Sequence, residues 1–346
     1  MAAQLDAMTH EGELYESVGD KDVICFACAH RCLIKEGRRG ICQVRFNKEG
    51  DLRVPWGYVD GVAVDPTEKK PFYHVLPGSK CLTFGMLGCD LHCAYCQNWI
   101  SSQALRDPDA GSPVSHASPE GIVALGVHHH APLVASSYNE PLITAEWGVA
   151  IFKEAHKHNM RCLMVSNGNI TAEALAYLRP HLVGYKIDLK TMNDHNYREL
   201  GTKLQNILNG IKMVHESGLW VEIVTLVVPG FNYSDAELKE SAKFIASVSP
   251  DIPWHVTAFH QDYKFLATET TKAQLLLRAC EIGKEAGLNY VYAGNLPGMT
   301  GDWENTYCPN CRSLLVERIG FHVQKNLLSV DGNCHSCGKK IPGIWA

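Results

Sequence analysis

Seven apolar, β-branched runs recur along the middle of the chain, and segments with helical apolar spacing separate them. The runs are CLTFGML, PLVASSY, CLMVSN, LVGYKIDL, WVEIVTLVV, PWHVTAFH and NYVYAG. Continuous apolar strands that alternate with helices form a parallel sheet whose faces are covered by those helices. Six or seven such units predict an α/β fold, either a full or partial TIM-like barrel or, as the alternative, an open doubly wound sheet.

The helical segments carry start and stop signals. Ser118 and Pro119 are typical of an N-cap and a first helical position, and Gly218 and Gly287 are typical of helix C-caps. In either architecture, ligands bind at the carboxyl ends of the strands. We therefore expect the functional residues in the loops that follow the apolar runs.

Fourteen cysteines in 346 residues need a chemical explanation. The start of the chain, MAAQLDAMTHEGELYE, has no apolar signal region, and no long apolar run follows, which predicts a cytoplasmic protein without a membrane span. Clustered cysteines in a reducing compartment favour metal sites over disulfides. The formal net charge of -5 gives no argument for a nucleic acid or an anionic membrane as the main partner.

The cysteines fall into three sets. The sets are Cys25, Cys28, Cys32 and Cys42 near the N-terminus, Cys89, Cys93 and Cys96 in the centre, and Cys308, Cys311, Cys334 and Cys337 near the C-terminus. The remaining three, Cys81, Cys162 and Cys280, lie in apolar runs and are predicted to be buried hydrophobic residues.

The central set directly follows the first predicted strand, at the edge where ligands bind. Three thiolates can hold three irons of a four-iron, four-sulfur ([4Fe–4S]) cluster and leave the fourth iron open for a non-protein ligand. Catalytic zinc, which also takes three protein ligands, is the alternative.

The two outer sets predict further metal sites. The C-terminal set has two CxxC pairs, which favours a four-cysteine zinc ribbon, with an auxiliary iron–sulfur cluster as the alternative. In the N-terminal set one gap is longer, and His30 adds a nitrogen donor. Zinc and an iron–sulfur cluster stay equally open there.

The motif GCDLHCAYCQNW, with Tyr95 before the last cysteine, resembles the signature of the radical S-adenosylmethionine (SAM) superfamily. Further stretches are similar to the glycyl-radical-enzyme activases and still more to the radical SAM component of the AmmeMemoRadiSam system, which is labelled pyruvate-formate-lyase-activase-like. These stretches include CFACAHRC, DPTEKKPFYHVLPGSK, YNEP, VSNG, YKIDLK, TLVVPGFN and VYAGN.

The resemblance covers residues 80–297 and implies a partial (β/α)6 barrel, a SAM molecule on the open iron, and a 5′-deoxyadenosyl radical. It predicts a division into an N-terminal cysteine-rich segment (1–79), a barrel (80–300) and a C-terminal zinc-ribbon-like segment (301–346). It also implies the residues that surround SAM, namely Tyr95, Asn139, Glu140, Ser166, Asn167, Asp188, Lys190 and His260.

Two motifs, YNEP and VSNG, depart from the family pattern. YNEP stands where the family has Gly-Gly-Glu, so Glu140 is expected to accept hydrogen bonds from the SAM ammonium, or else to form a salt bridge at the rim. The resembled activases carry D-T-N-G, whose aspartate helps to bind a monovalent cation, whereas this chain has Val165. We hypothesise that the Lys186 ammonium replaces that cation; a salt bridge at the rim is the alternative.

The histidines and one asparagine receive separate interpretations. His260 matches a family histidine near SAM, whereas His255, five residues earlier on a strand, faces the other side and is predicted to be a core residue. The run at 128–130 ends a helix and is interpreted as surface. Asn295 is expected to border the adenine.

The resemblance implies a radical SAM enzyme that abstracts hydrogen from a substrate and takes electrons from a donor such as flavodoxin or ferredoxin. A glycyl radical enzyme, a small metabolite or a nucleic-acid base is the expected substrate class. An iron–sulfur or zinc protein with an electron-transfer or scaffold role, and no enzymatic activity, is the competing hypothesis.

Overall fold

The computed structural model describes residues 1–346 and is built around one eight-stranded sheet. Each of the seven apolar runs forms a strand, and neighbouring strands pair in parallel in sequence order. The strands are Lys80–Gly85, Leu133–Ser136, Arg161–Ser166, Gly184–Asp188, Trp220–Val227, Trp254–Ala258 and Val291–Gly294. The first and last strands do not pair with each other, so the predicted partial barrel is confirmed.

Six helices cross from one barrel strand to the next, which gives the six predicted β/α units. They are Pro119–His128, Ala145–Lys157, Ala172–Leu178, Leu204–Glu216, Asp235–Val248 and Ala273–Glu285. The Ser118 side chain accepts a hydrogen bond from the backbone amide of Gly121 at 3.1 Å, as expected of an N-cap. Gly218 and Gly287 follow two of the helices with φ of +79° and +97°, where glycine avoids the strain of a Cβ.

The alternation of side chains along each strand separates the core from the barrel interior. On the fourth barrel strand, Tyr185 and Ile187 are buried in the main hydrophobic core. Lys186 and Asp188 alternate with them and therefore point to the other side. The three cysteines predicted to be buried hydrophobes, Cys81, Cys162 and Cys280, are fully inaccessible to solvent.

The segment before residue 80 is a set of short hairpins that wraps one side of the barrel. Its last strand, Gly61–Pro66, pairs antiparallel with the first barrel strand, so the central sheet begins before the predicted barrel boundary. The other elements are the helix Ala2–Ala7 and the strands Thr9–Glu11, Tyr15–Val18, Asp22–Cys25, Leu33–Ile34, Phe46–Lys48, Asp51–Pro55 and Tyr58–Val59.

The segment after residue 300 is a three-stranded antiparallel sheet with strands Thr306–Tyr307, Leu314–Ile319 and His322–Asn326. Its apolar residues pack with Tyr290 and Tyr292 of the last barrel strand region and with Tyr73. The domain division at 1–79, 80–300 and 301–346 stays a prediction. None of the helices is both long enough and apolar enough to cross a lipid bilayer.

Candidate active site

A cavity of about 600 Å³ opens at the carboxyl ends of the barrel strands. Its volume lies within the range of ordinary small-molecule sites. The three central cysteines and all eight residues predicted to surround SAM line this one cavity. They are Cys89, Cys93, Cys96, Tyr95, Asn139, Glu140, Ser166, Asn167, Asp188, Lys190 and His260.

The cysteine loop forms one wall of the cavity. Gly88 turns the chain out of the first strand with φ of +97°, and a Cβ there would lie 2.8 Å from Val44, so only glycine fits. The Leu91 amide donates to Cys89 Sγ at 3.3 Å. Burial raises the pKa of the Cys93 thiol to about 12. Such a thiol ionises only when a cation binds it.

The spacing of the three sulfur atoms distinguishes the two metals considered. Thiolates on one zinc ion, each about 2.3 Å from the metal, lie about 3.8 Å from one another. The sulfur atoms of Cys89, Cys93 and Cys96 do not all lie within 4.8 Å of one another. This wider arrangement fits a polynuclear cluster, in which each thiolate binds a different iron.

Glu140 is the buried carboxyl of the cavity. Its carboxylate accepts hydrogen bonds from Ser166 Oγ at 2.7 Å and from the amides of Asn167 and Leu142 at 2.8 and 3.0 Å. Burial, and then the charge of Asp90, raise the pKa of Glu140 to about 8. A cationic group of a ligand is the partner that this carboxyl lacks.

A second charged group stands across the cavity. The ammonium groups of Lys186 and Lys190 both pair with Asp188, the latter at 3.3 Å. Burial opposes the charge of Asp188, but the two ammonium groups hold its pKa below the usual value. Lys186 is buried, lines the cavity, and lies beside Val165 in the register of the sheet. The trio leaves one net positive charge facing the cavity.

The remaining predicted residues differ in their surroundings. Tyr95 is buried against Phe231 and Phe265, with ring centroids 5.1 and 5.7 Å away. His260 is exposed at the rim, and Asn295 lines the cavity with φ of +65°.

The other histidines lie outside the cavity. His255 faces away from it and bonds to Glu222 at 2.7 Å, as expected of a core histidine. The run at 128–130 is exposed at the end of its helix.

Lys70, Tyr138 and Phe321 are among the cavity residues that the sequence interpretation did not assign to the site. Lys70 is buried, pairs with Asp65 at 3.3 Å and bonds to the Tyr138 hydroxyl at 3.2 Å. Tyr138 takes a glycine position of the family motif with φ of +74°, and it packs against Gly85, where a Cβ would come within 2.8 Å of its ring. Phe321 reaches the cavity from the C-terminal sheet. Lys70 and Phe321 come from segments whose local pattern gives no sign of the cavity, whereas Tyr138 belongs to the YNEP motif, where only Asn139 and Glu140 were assigned to the site.

Asp90, between the first two central cysteines, was also missed. It is fully buried, and its carboxylate accepts hydrogen bonds from the side-chain amide groups (Nδ2) of Asn167 and Asn169, both at 2.7 Å. It therefore ties the cysteine loop to the end of the third barrel strand.

The four C-terminal cysteines converge away from the cavity. Their sulfur atoms all lie within 4.8 Å of one another, and two of the pairs are 3.6 Å apart. None of the four lines the cavity. Their spacing matches that of four thiolates on a single ion.

Comparisons with known proteins identify the family of this chain. Residues 84–245, which begin on the first barrel strand, match the family model of the Radical SAM superfamily. An uncharacterized protein of Methanocaldococcus jannaschii is 35% identical over 334 residues, which cover 96% of this chain and 98% of that protein.

Two further proteins are similar over part of the sequence or in fold. An isethionate sulfite-lyase activating enzyme of Desulfovibrio desulfuricans is 29% identical over 149 residues, which cover 41% of this chain and 47% of that enzyme. The crystal structure of a radical SAM methyltransferase from Sphaerobacter thermophilus shares the fold, with 13% identity and a TM-score of 0.51 over 90% of this chain and 84% of that one. The chain belongs to the radical SAM superfamily.

Proposed function

We propose that this radical SAM enzyme cleaves SAM reductively at a [4Fe–4S] cluster held by Cys89, Cys93 and Cys96, and that it abstracts a hydrogen atom from a substrate. One observation carries the proposal. A single cavity joins three thiols to a buried carboxyl without a cationic partner.

The residues of the cavity bind and orient, and the cofactors supply the reaction. Cys89, Cys93 and Cys96 would hold the cluster, which would supply the electron for reductive cleavage of the S–C5′ bond of SAM into methionine and a 5′-deoxyadenosyl radical. Glu140 is positioned to accept hydrogen bonds from the SAM ammonium, whose charge favours the ionised carboxyl. The cationic trio around Asp188 offers Lys190 and Lys186 to the SAM carboxylate.

Anaerobic incubation of the reconstituted protein with SAM and dithionite tests this function. We expect 5′-deoxyadenosine and methionine to accumulate in equal amounts, as measured by liquid chromatography with mass spectrometry. Unchanged SAM would support the competing scaffold or electron-transfer role. The physiological donor is proposed to be a one-electron protein such as flavodoxin or ferredoxin, in the cytoplasm, where reducing conditions favour thiols over disulfides. None of the fourteen cysteines forms a disulfide in the structure.

A glycyl radical enzyme is the second candidate for the substrate, because one partial relative is an activating enzyme by name. Mixing the reduced enzyme and SAM with a candidate glycyl radical protein should then give the doublet of a glycyl radical by electron paramagnetic resonance (EPR). A mixture that forms 5′-deoxyadenosine without this doublet would favour a small-molecule substrate instead.

Lys186 is proposed to replace the monovalent cation that resembled activases bind near the SAM carboxylate. Its ammonium lies on the cavity side, next to the position where this chain has Val165. We expect Lys186→Met to weaken SAM binding about ten-fold, since a charge-assisted hydrogen bond is worth about 1.5–3 kcal/mol. Isothermal titration of the anaerobic protein with SAM measures this effect.

A matched variant tests whether the lost charge itself matters. Lys243→Met removes an exposed ammonium outside the cavity and should leave the SAM affinity unchanged. If Lys186→Met also binds SAM with unaltered affinity, Lys186 forms only a salt bridge to Asp188.

The four C-terminal cysteines are proposed to bind one structural zinc ion, because their 3.6 Å spacings suit a tetrahedral site. We expect Cys308→Ala to lose one equivalent of zinc, as measured by elemental analysis, and to unfold at a lower temperature. Cys162→Ala, which removes another buried thiol, should keep the zinc. Iron in place of zinc in the wild type would show an auxiliary cluster instead.

A further inference from the structure

The four N-terminal cysteines, which we call the N-terminal set, converge beside the barrel. Cys25 ends a strand, Cys32 precedes the next one, and the amide of Cys25 donates to the carbonyl of Cys32 at 3.0 Å. Cys25, Cys28 and Cys42 are buried. The pairing of the two strands therefore brings Cys25 and Cys32 together in a part of the chain where the other thiols of the set are buried.

The N-terminal set is nevertheless more widely spaced than the C-terminal set. No three of its sulfur atoms lie within 4.8 Å of one another, whereas all four C-terminal sulfur atoms do. Four thiolates on one zinc ion would lie about 3.8 Å apart. The N-terminal set shares its wider spacing with Cys89, Cys93 and Cys96, which points to one iron for each thiolate.

The buried guanidinium of Arg45 independently indicates that the N-terminal set binds an anionic group. Arg45 is 1% exposed, and its two terminal nitrogens each donate to Glu146 at 2.7 Å. Its Nε is buried and has no hydrogen-bond partner. Burial opposes its charge, but Cys25, ahead of Glu146, raises the pKa of the guanidinium. An unpartnered charged donor beside the thiols lacks an acceptor, which the sulfur atoms of a cluster provide.

The N-terminal set lies next to the central cysteine loop. The ligand atoms of Cys28, His30 and Asp90 lie within 4.8 Å of one another. The Asp90 carboxylate is in turn 3.8 Å from Cys89 Sγ, and its backbone oxygen is 3.1 Å from His30 Nε2. The buried side chain of Asp90 therefore lies between Cys28 of the N-terminal set and Cys89 of the central set.

We propose that Cys25, Cys28, Cys32 and Cys42 bind a second [4Fe–4S] cluster that relays electrons to the central cluster. Four thiolates leave no iron open, so this cluster binds no SAM and exchanges only electrons. It is reduced by one electron from a low-potential donor of the flavodoxin or ferredoxin class, and it is reoxidised when that electron passes on. The relay rests on the proposed function, whereas the cluster itself does not.

Iron analysis of the full-length Cys89→Ala, Cys93→Ala, Cys96→Ala triple variant tests the cluster. After anaerobic reconstitution we expect about four irons and four sulfides per chain, with the EPR signal of one reduced cluster. Adding Cys28→Ala and Cys42→Ala should abolish both, while the zinc content stays unchanged and reports a folded C-terminal sheet.

Two results of that experiment would overturn the cluster. A triple variant without iron contradicts it, and so does a second equivalent of zinc, which would place a single ion on Cys28, His30 and Asp90. Either result leaves the proposed function standing if the wild type still forms 5′-deoxyadenosine. An iron-loaded triple variant beside an inactive wild type would refute the proposed function alone.

The relay is tested by the source of electrons. In the Cys28→Ala, Cys42→Ala variant we expect 5′-deoxyadenosine formation to fall at least about ten-fold with reduced flavodoxin, yet by less than about two-fold with dithionite, a small reductant that reaches the cavity directly. Equal changes with both reductants would refute the relay.

Discussion

Replacing Cys93 with alanine should abolish 5′-deoxyadenosine formation. Cys93 is the most deeply buried thiol of the central loop, and it lines the cavity together with Cys89 and Cys96. Two remaining thiolates cannot hold a cluster that needs three protein ligands and one open iron. We therefore expect the product to fall to the background of the assay without protein, and the central cluster to be absent by EPR.

The matched control is Cys280→Ala. Cys280 is fully buried on the last crossover helix and takes no part in any of the three cysteine sets. This variant should keep the iron content and the activity of the wild type. Substantial activity in Cys93→Ala, at wild-type iron content, would contradict the assignment of the central set.

Replacing Glu146 with alanine should be the most destabilising change outside the metal sites. Glu146 and Arg45 are both 1% exposed at their side chains and share two hydrogen bonds of 2.7 Å. Glu146 also accepts the amides of Glu13 and Leu14 at 3.2 and 3.4 Å, so it joins the N-terminal hairpins to the barrel. Removing one partner of a buried pair leaves an uncompensated charge and costs about 3–5 kcal/mol.

An exposed ion pair between the same two parts of the chain provides the comparison. Arg31 and Glu173 are 47% and 42% exposed at their side chains, and their closest approach is 2.6 Å. Glu173→Ala should cost about 1 kcal/mol or less, because water already solvates both groups. Thermal unfolding of the two variants under identical anaerobic conditions measures the contrast. Equal shifts in melting temperature would show that burial of the pair between Arg45 and Glu146 adds nothing to its effect on stability.

The barrel could be predicted because each strand is recognisable from the apolar pattern of its own residues. A parallel strand covered on both faces is apolar along most of its length, and each of the seven runs has that property. The strand Gly61–Pro66 was missed because all six of its residues are half-buried at the edge of the sheet, so no apolar run marks it. The predicted motifs follow parallel strands, whose carboxyl ends lie at the same edge of the sheet. The predicted residues therefore line one cavity.

The missed site residues depend on packing between distant segments. Lys70 precedes the barrel in the sequence and Phe321 follows it, and neither spacing nor periodicity indicates that both line the cavity. Asp90 had one signal, a carboxylate inside a cysteine loop, but its role needs Asn167 and Asn169 at hydrogen-bond distance. The spacing of the sulfur atoms, on which we base the proposed choice between zinc and an iron–sulfur cluster, is a three-dimensional quantity and cannot be counted along the chain.

Mössbauer spectroscopy of protein reconstituted with iron-57 tests the central claim most directly. The Cys28→Ala, Cys42→Ala variant would isolate the proposed central cluster, in which cysteine would bind three irons and leave one for SAM. Addition of SAM should change the isomer shift of one iron in four and leave the other three unchanged. A spectrum in which no iron responds to SAM, or in which the central set holds no iron, would contradict the account.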